Sequence, residues 1–113
     1  MTGKDLAQKK CEPCRGGIPP MEEKEAREYL KDAPGWALAD DAKRISKEFK
    51  FETFPGAIDF VNRVAEVAED QGHHPDLHIH YNKVEAELWT HKIDGLHEND
   101  FIMAAKLDEL AGD

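Results

Sequence analysis

The chain has 113 residues, 40% of them hydrophobic and 35% charged, which suits one soluble globular domain and leaves no room for two independent cores. Fifteen Lys and Arg against 24 Asp and Glu leave a formal charge of −9, a sign that repels phosphate backbones and anionic lipid and so disfavours direct nucleic-acid binding. No apolar run approaches the ~20 residues of a membrane span, and Met1-Thr2-Gly3-Lys4-Asp5 has no apolar signal segment; a cytoplasmic protein without a membrane partner is expected.

Residues 1–18 are polar and Lys-rich and read as a flexible N-terminal arm, with a single domain over 19–113. The only cysteines, Cys11 and Cys14, have C-x-x-C spacing, which fits half of a zinc knuckle or a redox dithiol. No second pair completes four ligands, and Gly16-Gly17 and Pro19-Pro20 follow where a redox motif would have a helix, so the pair reads as structurally minor.

Pro19 and Pro20 suit the first positions of a helix, where a missing N–H costs nothing. Ala26, Tyr29, Leu30 and Ala33 continue it at helical spacing until Pro34-Gly35. Trp36 and Leu38 then alternate with small residues, Asp40-Asp41 supplies a turn, and Ile45, Phe49 and Phe51 share one face of a second strand. Lys47 falls on that apolar face and is read as lying near a sheet edge. Thr53 and Pro55 open the strongest helix, with Ala57, Ile58, Val61, Val64, Ala65 and Ala68 forming its apolar stripe and Gly72 ending it. Phe60 and Val67 widen the stripe beyond what one sheet contact needs.

A second hairpin follows, Leu77, Ile79 and Tyr81 against Val84, Ala86 and Leu88, with Asn82-Lys83 as the expected turn. A last helix over 98–111 carries Ile102, Ala105, Leu107 and Leu110 inward, with Gly112 behind it. The expected fold class is therefore α+β, in the order α-β-β-α-β-β-α: a four-stranded antiparallel sheet with helices packed on one face.

Five of the six histidines lie between Gly72 and His91. With an Asn82-Lys83 turn, His80 faces Glu85, His78 faces Glu87, and the extended ladder sets His74 opposite His91, within reach of one flat ligand. Pro75 biases His74 toward extended backbone. His73, His74 and His91 thus form a candidate site, and an imidazole near pKa 6.5 can give or take a proton near neutrality. Spacing alone leaves open whether these rings act or are ordinary surface histidines. His78 and His80 read as polar cross-strand pairs; the rival is a metal site of His78, His80, Glu85 and Glu87, which rests on composition only. His97 reads as an ordinary surface histidine.

At Glu69, His73-His74-Pro75, Tyr81, His91 and Asp100 the chain resembles the pterin-4a-carbinolamine dehydratase family, which also includes the dimerization cofactor of a homeodomain transcription factor. Every spacing of the family's pattern is met, and Gly35-Trp36 and Tyr81-Asn82-Lys83-Val84 are similar too, over about residues 20–110. The resemblance implies the fold read above and association into homodimers or homotetramers through the broad helix. It also implies dehydration of 4a-hydroxytetrahydrobiopterin to quinonoid dihydropterin in tetrahydrobiopterin recycling, with no cofactor and no metal, and a functional link to an aromatic amino acid hydroxylase. His74 and His91 are the acid–base candidates, and His73 a binding group or second proton carrier. Pro75, Trp89 and Thr90 complete the expected pterin-binding set. The alternative is a non-catalytic pterin-binding or transcription-factor dimerization module.

Overall fold

The computed structural model describes residues 3–11 and 18–112. Its elements are α1 (Gly3–Gln8), α2 (Glu23–Leu30), β1 (Ala37–Leu38), β2 (Ile45–Lys50), α3 (Phe54–Gln71), β3 (Asp76–His80), β4 (Lys83–Leu88), a 3-10 turn (His91–Ile93) and α4 (Glu98–Ala111). The four strands form one antiparallel sheet in the order β1-β2-β4-β3. It is an α+β fold.

Alternation along β4 defines the two faces of the sheet. Val84, Ala86 and Leu88 are fully buried beneath the helices, while Glu85 and Glu87 turn outward. Ile45 and Phe49 of β2 join that inner face, where Phe49 meets the Phe60 ring at 4.9 Å and Trp36 edge-on at 6.0 Å. α3 begins as the sequence leads one to expect: Thr53 Oγ1 accepts from Gly56 N at 3.1 Å, a cap worth about 1 kcal/mol, and Gly72 ends the helix at φ 68°. Ala57, Phe60, Val64 and Ala68 are its buried face; Ile58, Val61 and Val67 are half-buried and Ala65 is exposed. α4 is sealed on more sides, with Phe101 through Ala105 all buried.

Three local expectations change. The hairpin turn is Tyr81-Asn82, not Asn82-Lys83, so His80 pairs with Lys83, Ile79 with Val84, His78 with Glu85 and Leu77 with Ala86. The cause is a tertiary anchor: Asn82 Nδ2 donates to Phe51 O at 2.7 Å and Phe51 N donates to Asn82 O at 2.8 Å, which leaves the positive φ of 53° to Tyr81. The shift is two residues, so each side chain keeps its face, but Ile79 and Tyr81 are 41% and 71% exposed at the uncovered edge.

Lys47 lies near an edge as expected, since β1 pairs only with Ile45 and Ser46 and leaves Lys47 paired to Ala86 of β4 alone. It points into the helix layer, where its Nζ lies 2.8 Å from Asp108 Oδ1 with both side chains 16% exposed, and Trp36 Nε1 donates to the same carboxylate at 3.2 Å. Pro19 and Pro20 precede α2 rather than opening it. Pro20 packs so closely on Gly95 that any side chain there would collide with its ring, and Met21 N donates to Leu96 O at 2.8 Å. Finally, within the span read as an arm, α1 packs on α4 and Leu6 is completely buried.

Asp108→Ala removes the acceptor shared by Lys47 and Trp36 inside the helix layer, and is expected to lower unfolding free energy by about 2–3 kcal/mol. Urea denaturation checks this; a midpoint unchanged from the parent would show that the cluster contributes nothing.

Candidate active site

Three chain breaks converge at one end of the sheet. α3 stops at Gly72 and releases His73 and His74, β4 runs out through Trp89 and Thr90 into the turn at His91, and α4 starts after His97. Between them lies a cleft of about 540 Å3 whose walls include His73, His74, Pro75, Trp89, Thr90 and His91. All six residues expected to bind or act on a ligand therefore face the same space. His74 and His91 do not meet across a ladder, which ends at Asp76 opposite Glu87; each reaches the cleft from its own loop.

The three histidines have different surroundings. His73 Nε2 is 2.6 Å from Asp100 Oδ1, with side-chain exposures of 12% and 0%. The other oxygen of Asp100 accepts from Thr90 Oγ1 at 2.9 Å and from His97 N at 3.0 Å. An ionised carboxylate only accepts, so His73 carries its proton on Nε2 and keeps Nδ1 for exchange. His74 is open to solvent and holds Glu69 Oε2 at 2.6 Å, which by the same reasoning protonates its Nε2. His91 is exposed and stacks on Trp89 with ring centroids 3.9 Å apart and planes 23° off parallel. Trp89 is in turn fixed by donating Nε1 to Asp76 Oδ2 at 3.0 Å, with the Arg44 guanidinium 4.8 Å from its ring centre. The cleft thus has an aromatic wall, one half-buried imidazole held by Asp100, and two accessible ones.

Outside the cleft, His78 is exposed, opposite Glu85 in the ladder and 3.5 Å from Glu87, while His80 is exposed opposite Lys83. Among the described residues no three His, Cys, Asp or Glu side chains stand close enough to hold a metal ion. Cys14 lies outside the described residues, whereas Cys11 borders the cleft, with its thiol pushed up to about 11 by burial.

Three roles escape a reading of the sequence alone. Asp100 is the buried partner of His73. His97 is no idle surface residue, since its Nδ1 accepts from Asn99 N at 3.1 Å while Asp100 accepts from its own N–H, a capping box. The signal was there as an acidic residue three positions into the helix, but histidine is an unusual cap. Gln71 also borders the cleft, its Oε1 accepting from Cys11 N at 2.8 Å.

An α+β domain with histidines gathered at the ends of its sheet and helices now has known counterparts. The family model described as Pterin 4 alpha carbinolamine dehydratase matches residues 19–110. The chain belongs to that family. A protein of Methylococcus capsulatus named "Putative pterin-4-alpha-carbinolamine dehydratase" is 50% identical over 113 residues, covering 100% of this chain and 99% of its own. One of the same name from Halorhodospira halophila is 51% identical over 105 residues, 93% of this chain and 96% of its own. Among solved structures, a transcriptional coactivator/pterin dehydratase from Brucella melitensis superposes with a TM-score of 0.78 at 36% identity, over 82% of this chain and 99% of that one. A pterin dehydratase-like protein identified as a RuBisCO assembly factor in the alpha-carboxysome shares the fold, at TM-score 0.62 and 23% identity over 71% of this chain and 93% of its own.

Asp100→Ala would leave three donors facing an empty site and is expected to destabilise by about 3 kcal/mol or more. Asp100→Asn is expected to cost only about 1 kcal/mol, because the amide can donate to His73 Nε2 once the ring takes its other tautomer. Urea unfolding of both variants, with ¹⁵N shifts of the His73 ring, reads the difference. Equal losses with Nε2 still protonated would refute the tautomer assignment.

Proposed function

We propose that this protein dehydrates 4a-hydroxytetrahydrobiopterin to quinonoid dihydropterin and water by histidine acid–base catalysis. The observation that carries the proposal is the convergence of His73, His74 and His91 on one cleft beside a stacking tryptophan, in a chain of the pterin dehydratase family. The reaction breaks the C4a–O bond and the N5–H bond. The N5–H electron pair becomes the C4a=N5 double bond, one proton joins the departing hydroxyl as water, and the other is taken from N5. The electrons balance without an oxidant or reductant, and two proton carriers suffice.

His74 and His91 are the acid–base pair in this mechanism. Both are accessible, and both can exchange protons with solvent between turnovers. His73 is the positioning and binding group, because a ring held at 2.6 Å by a buried carboxylate offers Nδ1 in a fixed direction. Trp89 and Pro75 supply flat apolar surface for the pterin, and Thr90, whose hydroxyl serves Asp100, lines the cleft through its remaining atoms. The half-buried flank of α3 at Ile58, Val61 and Val67 supports a homodimer or homotetramer. The wider proposal is a cytoplasmic enzyme that recycles tetrahydrobiopterin downstream of an aromatic amino acid hydroxylase.

The test supplies 4a-hydroxytetrahydropterin generated in place and follows the ultraviolet change to the quinonoid form, with and without chelator. Chelator-resistant acceleration is expected, and His74→Ala with His91→Ala should reduce it by about 10²–10⁴-fold, the range of general acid–base assistance. A folded double mutant at the parent rate would end the histidine mechanism. No acceleration by the folded parent protein would leave the non-catalytic binding module as the function.

A further inference from the structure

The N-terminal segment lies outside the residues matched by the family model, yet it reaches the cleft. Four tethers bring it there. Leu6 is completely buried and Ala7 nearly so, in the contact of α1 with α4. Lys106 Nζ, from α4, donates to Ala7 O at 2.7 Å. Lys9 Nζ sits 3.1 Å from Glu98 Oε2, an oxygen that also accepts from Tyr29 OH at 3.0 Å. Burial and that acceptor push the Tyr29 hydroxyl up to about 12, so it remains a donor. The last tether is at the cleft itself, where Cys11 N donates to Gln71 Oε1 at 2.8 Å and Cys11 Sγ approaches Asn99 O at 3.8 Å.

The polar tethers are modest on their own: Lys9 and Glu98 are about a third or more exposed, so water screens their ion pair and it contributes little. The segment thus joins the domain's hydrophobic core through Leu6 and Ala7 and is held further along by polar contacts, and a ligand touching its end adds to what keeps that end docked. Cys11 and Gln71 both border the cleft on the side of His73 and Gly72, opposite in sequence and origin to the Trp89–His91 wall. Their surface is uncharged, a neutral thiol and a carboxamide, suited to the edge of a heteroaromatic ring.

We propose that residues 3–11 form a strap that completes the pterin cleft and raises affinity for the pterin through the wall made by Cys11 and Gln71. This rests on the pterin reading of the site. It makes the strap a binding determinant with no part in proton transfer, so loosening it acts on KM and leaves kcat alone. If ligand binds well only with the strap docked, its apparent affinity falls in proportion to the docked fraction.

The first experiment uses full-length Cys14→Ser protein, in which Cys11 is the one remaining thiol. Alkylation of Cys11 by iodoacetamide is followed by mass spectrometry with and without 7,8-dihydrobiopterin, while calorimetry on the same sample measures binding. At about 100 times the dissociation constant, labelling is expected to slow at least about tenfold. Pterin that binds without slowing the label overturns the strap and leaves the pterin reading standing. Pterin that fails to bind overturns both. The second uses Lys106→Met, which keeps the packing of the stem and removes the donor to Ala7. KM is expected to rise about 5–10-fold with kcat within about twofold. A fall in kcat at unchanged KM would overturn the proposal.

Discussion

A single carboxylate joins the parts of this molecule that must be held together for the cleft to exist. Asp100 has no solvent exposure, and a charge taken that far from water is tolerable only when its lone pairs are occupied. It receives the ring N–H that follows α3, the hydroxyl that follows β4, and the backbone N–H that precedes its own helix. The first turn of α4 adds a favourable field for a negative group. Three elements that would otherwise end independently are thus tied to one atom pair, and the loops between them inherit their positions from it. Thr90 and Gly95 close the intervening loop by pairing with each other, and Pro20 and Met21 dock on its far end at Gly95 and Leu96.

The sequence is most readable where local chemistry and burial agree. Thr53, Pro55 and Gly72 bound α3, and the last helix runs over Glu98–Ala111 as its periodicity and Gly112 suggest. It is least readable where a distant contact decides. Asn82 looks like the left-handed residue of a turn, yet its side chain and carbonyl are both engaged by Phe51, thirty-one positions away, and the turn moves to Tyr81-Asn82. Lys47 looks misplaced in an apolar pattern until Asp108 is seen opposite it. α1 carries too little periodicity in six residues to announce a helix, and Leu6 finds its partner only across the whole chain. The site was legible as a gathering of His73, His74 and His91. Asp100 was legible as a position of the family pattern, but its contact with His73 was not, because it joins residues 27 positions apart.

Membership of the family does not by itself establish an activity, since one fold can carry unrelated functions. The RuBisCO assembly factor with this fold illustrates the point at 23% identity. What separates an enzyme from a scaffold is whether the side chains in the cleft are arranged for chemistry. Asp100 serves the scaffold by tying three elements together, and the same carboxylate orients the His73 imidazole at the cleft.

The contrast among the three rings follows from the same support. A proton carrier that works in cycles must exchange with water as well as with substrate, and His74 and His91, both exposed, satisfy that. A ring that fixes the substrate must resist rotation, and His73, pinned at 2.6 Å to a buried partner, satisfies that instead. Glu69 against His74 is no equal of Asp100 against His73, although both contacts measure 2.6 Å, because an exposed pair is screened by water and contributes little. Under the proposed mechanism this contrast would make His73 the anchor and leave His74 and His91 as the carriers. The proposed dehydration would draw on that division, since a flat ring system must stay still while one proton arrives at oxygen and another leaves nitrogen.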